Sequence, residues 1–332
     1  MDNIMRTIRG MRETLIRVGI FFLLLIIFGI INPAVISPVN LVGLVNNSIF
    51  TALACIGLMV VMVTGSFDMS STAIAMISFY TTAYIYRLFG YQGDYISGFL
   101  LSGCIGAAVA LISMWISVKF NLSGFVVSLG INLIYSSVLF IFVNGYISQS
   151  DMPQQIIRLS HDSIFSVESE DGTRATMLVS VIFLVILAVV VWFILNHTQL
   201  GRGIYALGGD KMALERVGYN VMSVYILAYV IFGFCTGVAG LVFYGNMSTA
   251  EPSHIIKGGS NIIAAAIFGG VDNNRGKGTV GGVLAGVFII TLINNNLTLL
   301  GASPYLKTLL IGVILLISVL VTSLGDIKAR RG

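Results

Sequence analysis

The chain has 332 residues, 57% of them apolar and only 10% charged, with a mean hydropathy of +0.96. A soluble domain carries about 25% charged residues, so this composition excludes a soluble enzyme, a disordered chain, a nucleic-acid binder and a secreted disulfide scaffold, and leaves a polytopic membrane protein. The net charge of +4 is small, and its placement along the chain tells more than its size.

A hydrocarbon core of about 30 Å needs about 20 apolar residues per helix. Ten runs meet or approach that length: 18–36, 41–65, 71–90, 96–118, 124–144, 176–196, 222–245, 258–271, 279–298 and 304–324. The first follows Arg6, Arg9, Arg12 and Arg17, as a signal peptide would. It is long, however, and no small-x-small cleavage site precedes Pro33, so it reads as a retained span. The eighth is short and bounded by Gly258-Gly259 and Gly269-Gly270. It reads as a partial or broken helix, which a membrane tolerates only when it is buried in protein or lines a cavity. Cys55, Cys104 and Cys235 all lie inside apolar runs without metal spacing and read as small core residues.

The positive-inside rule sets the orientation. With the N-terminus in the cytoplasm, Arg87, Arg158, Arg174, Lys257 and Lys307 fall outside or at outer helix ends, and the other 13 of the 18 Lys and Arg fall inside. The longest outer loop, about 145–175, carries Asp151, Asp162, Glu168, Glu170 and Asp171. The expectation is one membrane domain over 1–332, with a cytoplasmic N-terminus 1–17, a cytoplasmic loop 197–221 and a cytoplasmic tail 325–332. The fold class is all-α, with about ten transmembrane helices. Ten spans divide into five plus five, and an odd number per half turns the second half upside down, the plan of an inverted repeat. The stretch 65–75 loosely echoes 258–266.

Two inner loops carry information. In 197–221, Ala213, Leu214 and Val217 fall on one face of a short helix from about Lys211 to Val217. Asp210 can cap that helix and Gly218 can end it. The helix either lies on the bilayer, connects two spans, or docks a cytoplasmic partner. The loop 269–278 is glycine-rich and basic but is not a phosphate loop: Val271 stands at the first glycine position and Gly278 replaces the Mg²⁺-binding hydroxyl. Gly201-Arg202-Gly203 imitates a dinucleotide fingerprint but follows a membrane span. The chain thus shows no means of binding ATP itself. Gly278, Gly282 and Gly286 form one small-residue stripe, and Gly233 and Gly237 a second; both read as close helix packing, with a moving helix contact as the alternative.

Polar residues inside spans mark function by default. Asp68 is the only acid between Glu13 and Asp94, and it either caps the third span, lies on a transport path or holds an irregular loop. Asn46, Asn47, Asn261, Asn294 and Asn295 are expected to converge on one outer membrane level, with Asn132 deeper. Amides donate and accept, which suits a neutral, hydroxyl-rich solute; interhelical hydrogen bonding is the plainer reading. His161, His197 and His254 fall in or beside loops, leaving no proton relay. No H-E-x-x-H, G-x-S-x-G or paired acids in spans support an intramembrane enzyme.

Several stretches resemble the permeases of the ribose-type, branched-chain ABC import systems, the bacterial monosaccharide and autoinducer-2 class. Val63-Thr64-Gly65-Ser66-Phe67-Asp68-Met69-Ser70 resembles T-G-G-I-D-L-S-V-G. Gly124-Phe125-Val126-Val127-Ser128-Leu129-Gly130 resembles P-x-F-I-V-T-L-G. The stretch 201–221 is similar to G-R-x-x-Y-A-I-G-G-N-x-x-A-A-R-x-x-G-I-x-V, and 264–282 resembles I-A-A-V-V-I-G-G-x-x-x-x-G-G-x-G-x-x-x-G-T. The resemblance covers about 40–325. It departs at Ser71-Thr72, where the family has V-G-S, and at Ser260-Asn261-Ile262, where the family has E-L-D.

The resemblance implies a type II ABC importer arrangement in a bacterial inner membrane. The permease would pair with a second copy or a paralogue amid membrane lipid. It would receive solute from an extracytoplasmic solute-binding protein and engage ABC ATPase subunits inside, with ATP and Mg on the ATPase and no cofactor on this chain. Arg202, Gly208, Gly209, Ala213, Glu215, Arg216 and Gly218 would form the coupling element. The expected function is import of a monosaccharide or similar polyol; a stand-alone secondary transporter or channel is the alternative.

Overall fold

The computed structural model describes residues 2–91, 93–143, 147–148, 152–169, 172–247, 249–256, 258–273, 275–301, 303, 305–313 and 316. The tail 325–332, most of the tenth expected span, and Asp151, Glu170, Asp171 and Lys257 lie outside these. The elements run α1 Asp2–Ile31, α2 Pro38–Val63, α3 Ser71–Leu88, α4 Tyr95–Lys119, α5 Gly124–Val143, β1 Ile147–Ser148, α6 Gln154–His161, β2 Ser163–Glu168, β3 Arg174–Leu178, α7 Ser180–His197, α8 Gln199–Gly209, α9 Lys211–Arg216, α10 Val221–Gly245, β4 Thr249–Ala250, α11 Pro252–Ile256, α12 Gly259–Phe268 and α13 Val280–Leu299. A last helical stretch covers 305–313.

Each of the first nine expected spans coincides with a helix. Among the described residues, seven helices are long and apolar enough to cross a membrane: the Glu13–Ile31 part of α1, then α2, α4, α5, α7, α10 and α13. The helices α3 and α12 fall outside that set. The first carries many hydroxyl and phenol groups, and the second has only ten residues, about 15 Å of rise. The sixth span begins at Ser180 rather than 176, because Arg174–Leu178 pairs with Ser163–Glu168 as an antiparallel hairpin.

The helices α2 and α10 form the centre. Every residue from Ser48 to Val63 except Thr51 is buried, as is every residue from Ile231 to Gly245 except Phe234 and Phe243. A helix that is apolar all round belongs in such a position. In contrast α1, α5 and α7 leave one apolar side open, with Ile30, Leu133, Ile141 and Val189 each more than half exposed. In a membrane protein that side faces lipid or another subunit.

Glycine sets how closely the central helices approach. A Cβ on Gly106 of α4, or on Gly233 or Gly237 of α10, would run into the backbone of the facing helix. Ser102 Oγ donates to Gly237 O at 2.7 Å across the same contact. Gly286 meets Ala265 O and Gly269, Gly282 meets Gly269 O, and Gly278 meets Met59 and Val63 of α2. The Gly278, Gly282 and Gly286 stripe thus seats α12 and the end of α2 on α13.

The connections gather at two ends. One end is basic and collects the start of α1, the α4–α5 turn, α8, α9 and the turn 271–278. Arg17 lies directly on Gly270 there, and Lys119 stacks over Trp115 at 4.4 Å. The other end collects the β2–β3 hairpin, α6, and the β1–β4 pair that joins 147–148 to 249–250.

Placing Leu at Gly237 should destabilise the protein by about 1–3 kcal/mol or more, through overpacking that neither backbone can relieve. Leu at Gly43, where a Cβ would meet nothing within 4 Å, should leave the melting temperature in mild detergent unchanged. Equal melting temperatures for the two variants would show that the α4–α10 contact is not tight.

Candidate functional site

At the basic end, residues 197–221 fold as two helices rather than the single short one expected. Thr198 opens α8, its Oγ1 accepting from Gly201 N at 3.0 Å. Asp210 opens α9, its Oδ1 accepting from Ala213 N at 3.1 Å. Gly218, at φ +87, lets the chain turn after α9 while Tyr219 N donates to Leu214 O. The expected apolar face of Ala213, Leu214 and Val217 is not buried as a unit. Leu214 alone anchors α9, while Ala213 is exposed, as are Met212 at 66% and Val217 at 75%. Arg202, Gly209, Glu215 and Arg216 are exposed as well. Gly208 differs: a Cβ there would strike Val63 O at the end of α2 and crowd Gly276. Tyr205 ties α8 to the next turn by donating to Gly278 O at 2.9 Å. Burial pushes its phenol up to about 12, which keeps the donor proton in place. The turn itself closes on Asp272 and Lys277, whose backbones exchange hydrogen bonds, with Arg275 3.5 Å from the Asp272 carboxylate.

The middle of the bundle holds a break. After Val63 the chain leaves the helix and runs non-helical through residues 66–69, with α3 beginning at Ser71. Phe67 passes the first residue of α5, Gly124. Met69 then takes a hydrogen bond from α5 at each side: its N donates to Ser128 Oγ at 2.9 Å, and its O accepts from Asn132 Nδ2 at 2.7 Å. Since Ser128 and Asn132 lie four and eight residues into α5, the segment climbs into the bundle at about 1.5 Å per helical residue passed. Asn132 also reaches Thr72 Oγ1 at 3.3 Å.

The short helix α12 begins at the same depth. Gly259 packs on the Thr72 methyl, Gly258 meets Phe50, and Cys55 Sγ donates to Ile262 O at 3.4 Å. Phe50 is midway along α2, so α12 starts at mid-bundle. Neither α3 nor α12 has a side-chain cap. Two helix N-termini without side-chain caps therefore meet between apolar helices.

Asp68 lies in this break, 1% exposed. It does not cap α3, whose N-cap is Ser70. Its Oδ1 instead accepts from Ser70 N at 2.7 Å and from the Ser70 hydroxyl. Its Oδ2 has no hydrogen-bond partner among the described residues.

The asparagines divide. Asn46 is committed to the β2–β3 hairpin, donating to Thr176 O at 2.7 Å and accepting from Leu178 N at 3.3 Å. Asn47 donates to Asn295 Oδ1 at 3.2 Å across α2 and α13. Asn294 is half-buried on the same turn of α13, and Asn296 is fully buried without a partner among the described residues. Asn261 does not join them: it sits in the first turn of α12, two residues past Gly259, which packs on Thr72 at mid-bundle. The structure thus brings Asn132 to the break, and Asn47 and Asn295 to each other.

Sequence reasoning missed a cleft at the basic end of about 600 Å³. Four separate segments build it: Gly65–Phe67, the α4–α5 turn, Lys211 with the start of α10, and Asn273. No local pattern reports such a meeting.

Comparison with known proteins gives a family. A family model described as the permease component of the branched-chain amino acid transport system matches residues 40–319. The chain belongs to that permease family. Among its relatives, the D-allose transport system permease protein AlsC of Escherichia coli is 30% identical over 309 residues, 91% of this chain and 90% of that one. The ribose import permease protein RbsC of the same species is 26% identical over 299 residues, 90% of each chain. The galactose/methyl galactoside import permease protein MglC of Haemophilus influenzae is 28% identical over 327 residues, covering 94% and 95%. No solved structure matches. The stretch matched to the permease family contains the mid-bundle break, α8, α9 and the cleft; α1 precedes it.

Replacing Asn132 by Leu leaves Met69 O without its donor and should cost about 1–3 kcal/mol. Asn47→Leu removes one exposed amide pair and should cost about 0.6 kcal/mol or less. Denaturation of the purified protein in mixed micelles reads both. Equal losses would show that the 64–70 segment does not depend on Asn132.

Proposed function

We propose that this chain is the membrane-spanning subunit of a binding-protein-dependent ABC importer, carrying a monosaccharide or similar small polyol into the cytoplasm. The observation that carries the reading is the mid-bundle break. Two interrupted helices meet there by their N-termini, amid Asn132, Thr72 and a buried carboxylate, while the seven candidate spans are apolar. Interrupted helices with N-termini near the membrane midplane are how transporters present polar groups to a solute. The solutes named for the relatives, ribose, D-allose and galactose, are neutral and hydroxyl-rich, which suits amides and free N–H groups rather than paired charges.

In this reading the fold is a single domain of ten spans in a five-plus-five inverted repeat of type II importer form, with both termini in the cytoplasm of a bacterial inner membrane. The basic end faces inward, as the positive-inside rule asks. Partner ATPase subunits dock on the exposed side of α8 and α9, where Arg202, Gly209, Ala213, Glu215 and Arg216 stand free with Met212 and Val217. Gly208 and Gly218 shape that surface rather than touch the partner. ATP and Mg are bound and used by the ATPase, with no cofactor on this chain. A solute-binding protein delivers cargo at the hairpin end, and a second permease, copy or paralogue, covers part of the open apolar side. Asn46, Asn47, Asp68, Asn132, Asn261, Asn294 and Asn295 line or support the path. Of these, Asn46 acts by holding the hairpin and Asp68 by holding the break.

The test is co-purification of the tagged permease from mild detergent, followed by reconstitution with the chains recovered. An ATPase subunit and ATP-dependent uptake of ribose, allose or galactose are expected. Uptake driven by an ion gradient from the permease alone would replace this reading with a secondary transporter. Arg216→Glu should abolish the stimulation of ATP hydrolysis by binding protein while leaving permease levels in the membrane unchanged; unchanged stimulation would remove α9 from the docking surface. A cytoplasmic reporter fused after Glu170 should stay silent, and a signal there would invert the topology.

A further inference from the structure

We infer that a slot between α4, α7 and α10, near the hairpin end, is a binding site for one phospholipid, whose acyl chain fills the slot while its phosphate meets Arg158 on α6. The inference rests on the chain being a membrane protein and not on the importer reading.

Shape comes first. Phe234 and Val238 of α10 form the floor, and Phe99 of α4 and Phe183 of α7 form the walls. The two wall rings stack with centroids 3.6 Å apart, and Tyr95 meets both edge-on. Gly103 admits the floor, since a Cβ there would run into the Phe234 ring. The mouth is Ile96, Leu100 and Ile186, each more than half exposed. The volume is about 180 Å³. An apolar cavity of about 150 Å³ stays dry and takes up benzene, so this slot has room for hydrocarbon. None of the described lining residues has a polar side chain, and a polyol or a peptide group would lose its hydrogen bonds there.

Depth comes second. Tyr95 opens α4 and Trp115 lies twenty residues on, a rise of about 30 Å, which is the thickness of a hydrocarbon core. Aromatic residues of this kind mark the two membrane interfaces. Tyr84 and Tyr91, both exposed, join Tyr95 at the hairpin end. The mouth of the slot begins within the first turn and a half below that belt. At this depth it opens onto lipid chains.

Charge completes the argument. The helix α6 lies across α4, α10 and β3, and β3 ends two residues before α7 begins. It therefore roofs all three elements that build the slot. Ile156 and Leu159 of α6 seat on Gly245 of α10, about 10 Å along the helix from Val238. Arg158 lies between these two in sequence and is exposed. It has no ion pair among the described residues, although Asp162 follows four residues on. A cation at that height meets headgroups, which extend about 5–7 Å beyond the core on each side. The slot and the arginine are thus spaced as the chain and the phosphate of one lipid are. A helix of a second copy, about 10 Å across, would cover the mouth without entering it and would bring Arg158 no anion.

The experiment counts bound lipid. The full-length chain, with the subunits that co-purify, is taken in dodecyl maltoside and titrated with palmitoyl-oleoyl phosphatidylglycerol, and lipid retained after washing is read by native mass spectrometry. Leu100→Trp and Ile186→Trp fill the slot from its exposed mouth, where neither disturbs core packing, and two positions keep the test alive if one misfolds. Leu133→Trp, on the open side of α5, is the control. Only preparations that elute as the wild type does are compared. One retained phospholipid per chain is expected in the wild type and in Leu133→Trp, with at least a tenfold lower occupancy in both slot variants. Arg158→Gln should weaken the apparent affinity about fivefold, the effect of one cation near an anionic surface. Equal retention in the slot variants and the control would mean loosely held surrounding lipid and overturns the site. Unchanged affinity in Arg158→Gln overturns the phosphate contact and with it the one-lipid assignment. Retained lipid with a changed number of permease copies in the slot variants overturns it too, and gives the slot to a second copy.

Discussion

A non-helical backbone inside a membrane must find partners for its N–H and C=O groups within the protein, and the segment from Thr64 to Ser70 finds them on α5. Met69 is held at both its polar groups, by Ser128 and Asn132, and Asp68 turns back on Ser70. Without those contacts α3 would have no reason to start at mid-bundle, since nothing in its own first turn caps it. The position of α12 follows in turn, because Gly259 packs against Thr72. Two helix starts thus depend on a pair of side chains one turn apart on α5.

The same segment is where the basic end meets the interior. Val63 closes α2 against Gly208 and Gly278, and Gly65 follows against Gly208 and Asn273. These contacts have no slack: a methyl group at Gly208 would strike Val63 O. Close-packed interiors transmit displacement rather than absorb it. A push on α8 therefore reaches the end of α2 and the start of the 64–70 segment directly, within a distance of a few residues. Tyr205, bonded to Gly278 O, adds a second tie from α8 to the start of α13. The surface proposed for the ATPase and the break proposed for the solute are joined by backbone contact, not by a chain of flexible side chains.

How much of this was legible in the sequence depends on whether the signal was local. Spans were readable because apolar run length is a local property, and nine of ten expected runs coincide with helices. The α9 cap was readable because Asp210 and Gly218 act within one turn of themselves. The helix α8 was not: Gly201, Gly203, Gly208 and Gly209 lower its intrinsic propensity, and contacts of Gly201 with Ile194 and of Gly203 with Val224 and Tyr219 hold it instead. The hold of Asn46 on the hairpin was not readable because its partner, the backbone of β3, lies 130 residues away. Asn261 was placed at the outer level by counting from the start of a full-length span, whereas α12 begins halfway across. The cleft needs four segments at once, and none of them carries a mark of it.

Charge explains why Asp68 is tolerated where it sits. A carboxylate within an apolar bundle is unfavourable unless positive potential offsets it, and among the described residues no Lys or Arg pairs with it. The offset comes from backbone. A helix N-terminus carries about half a positive charge through its free N–H groups, and Asp68 lies three residues before Ser71, at the uncapped start of α3. One oxygen engages Ser70, leaving the other open. At the neighbouring start of α12 the residues are Ser260 and Asn261, neither of them charged. This chain therefore meets two helix starts with one carboxylate. The first turn of α12 is left without a side-chain cap or a charged partner among the described residues, and the backbone meets part of that need itself, Asn261 N and Ile262 N both donating to Gly258 O.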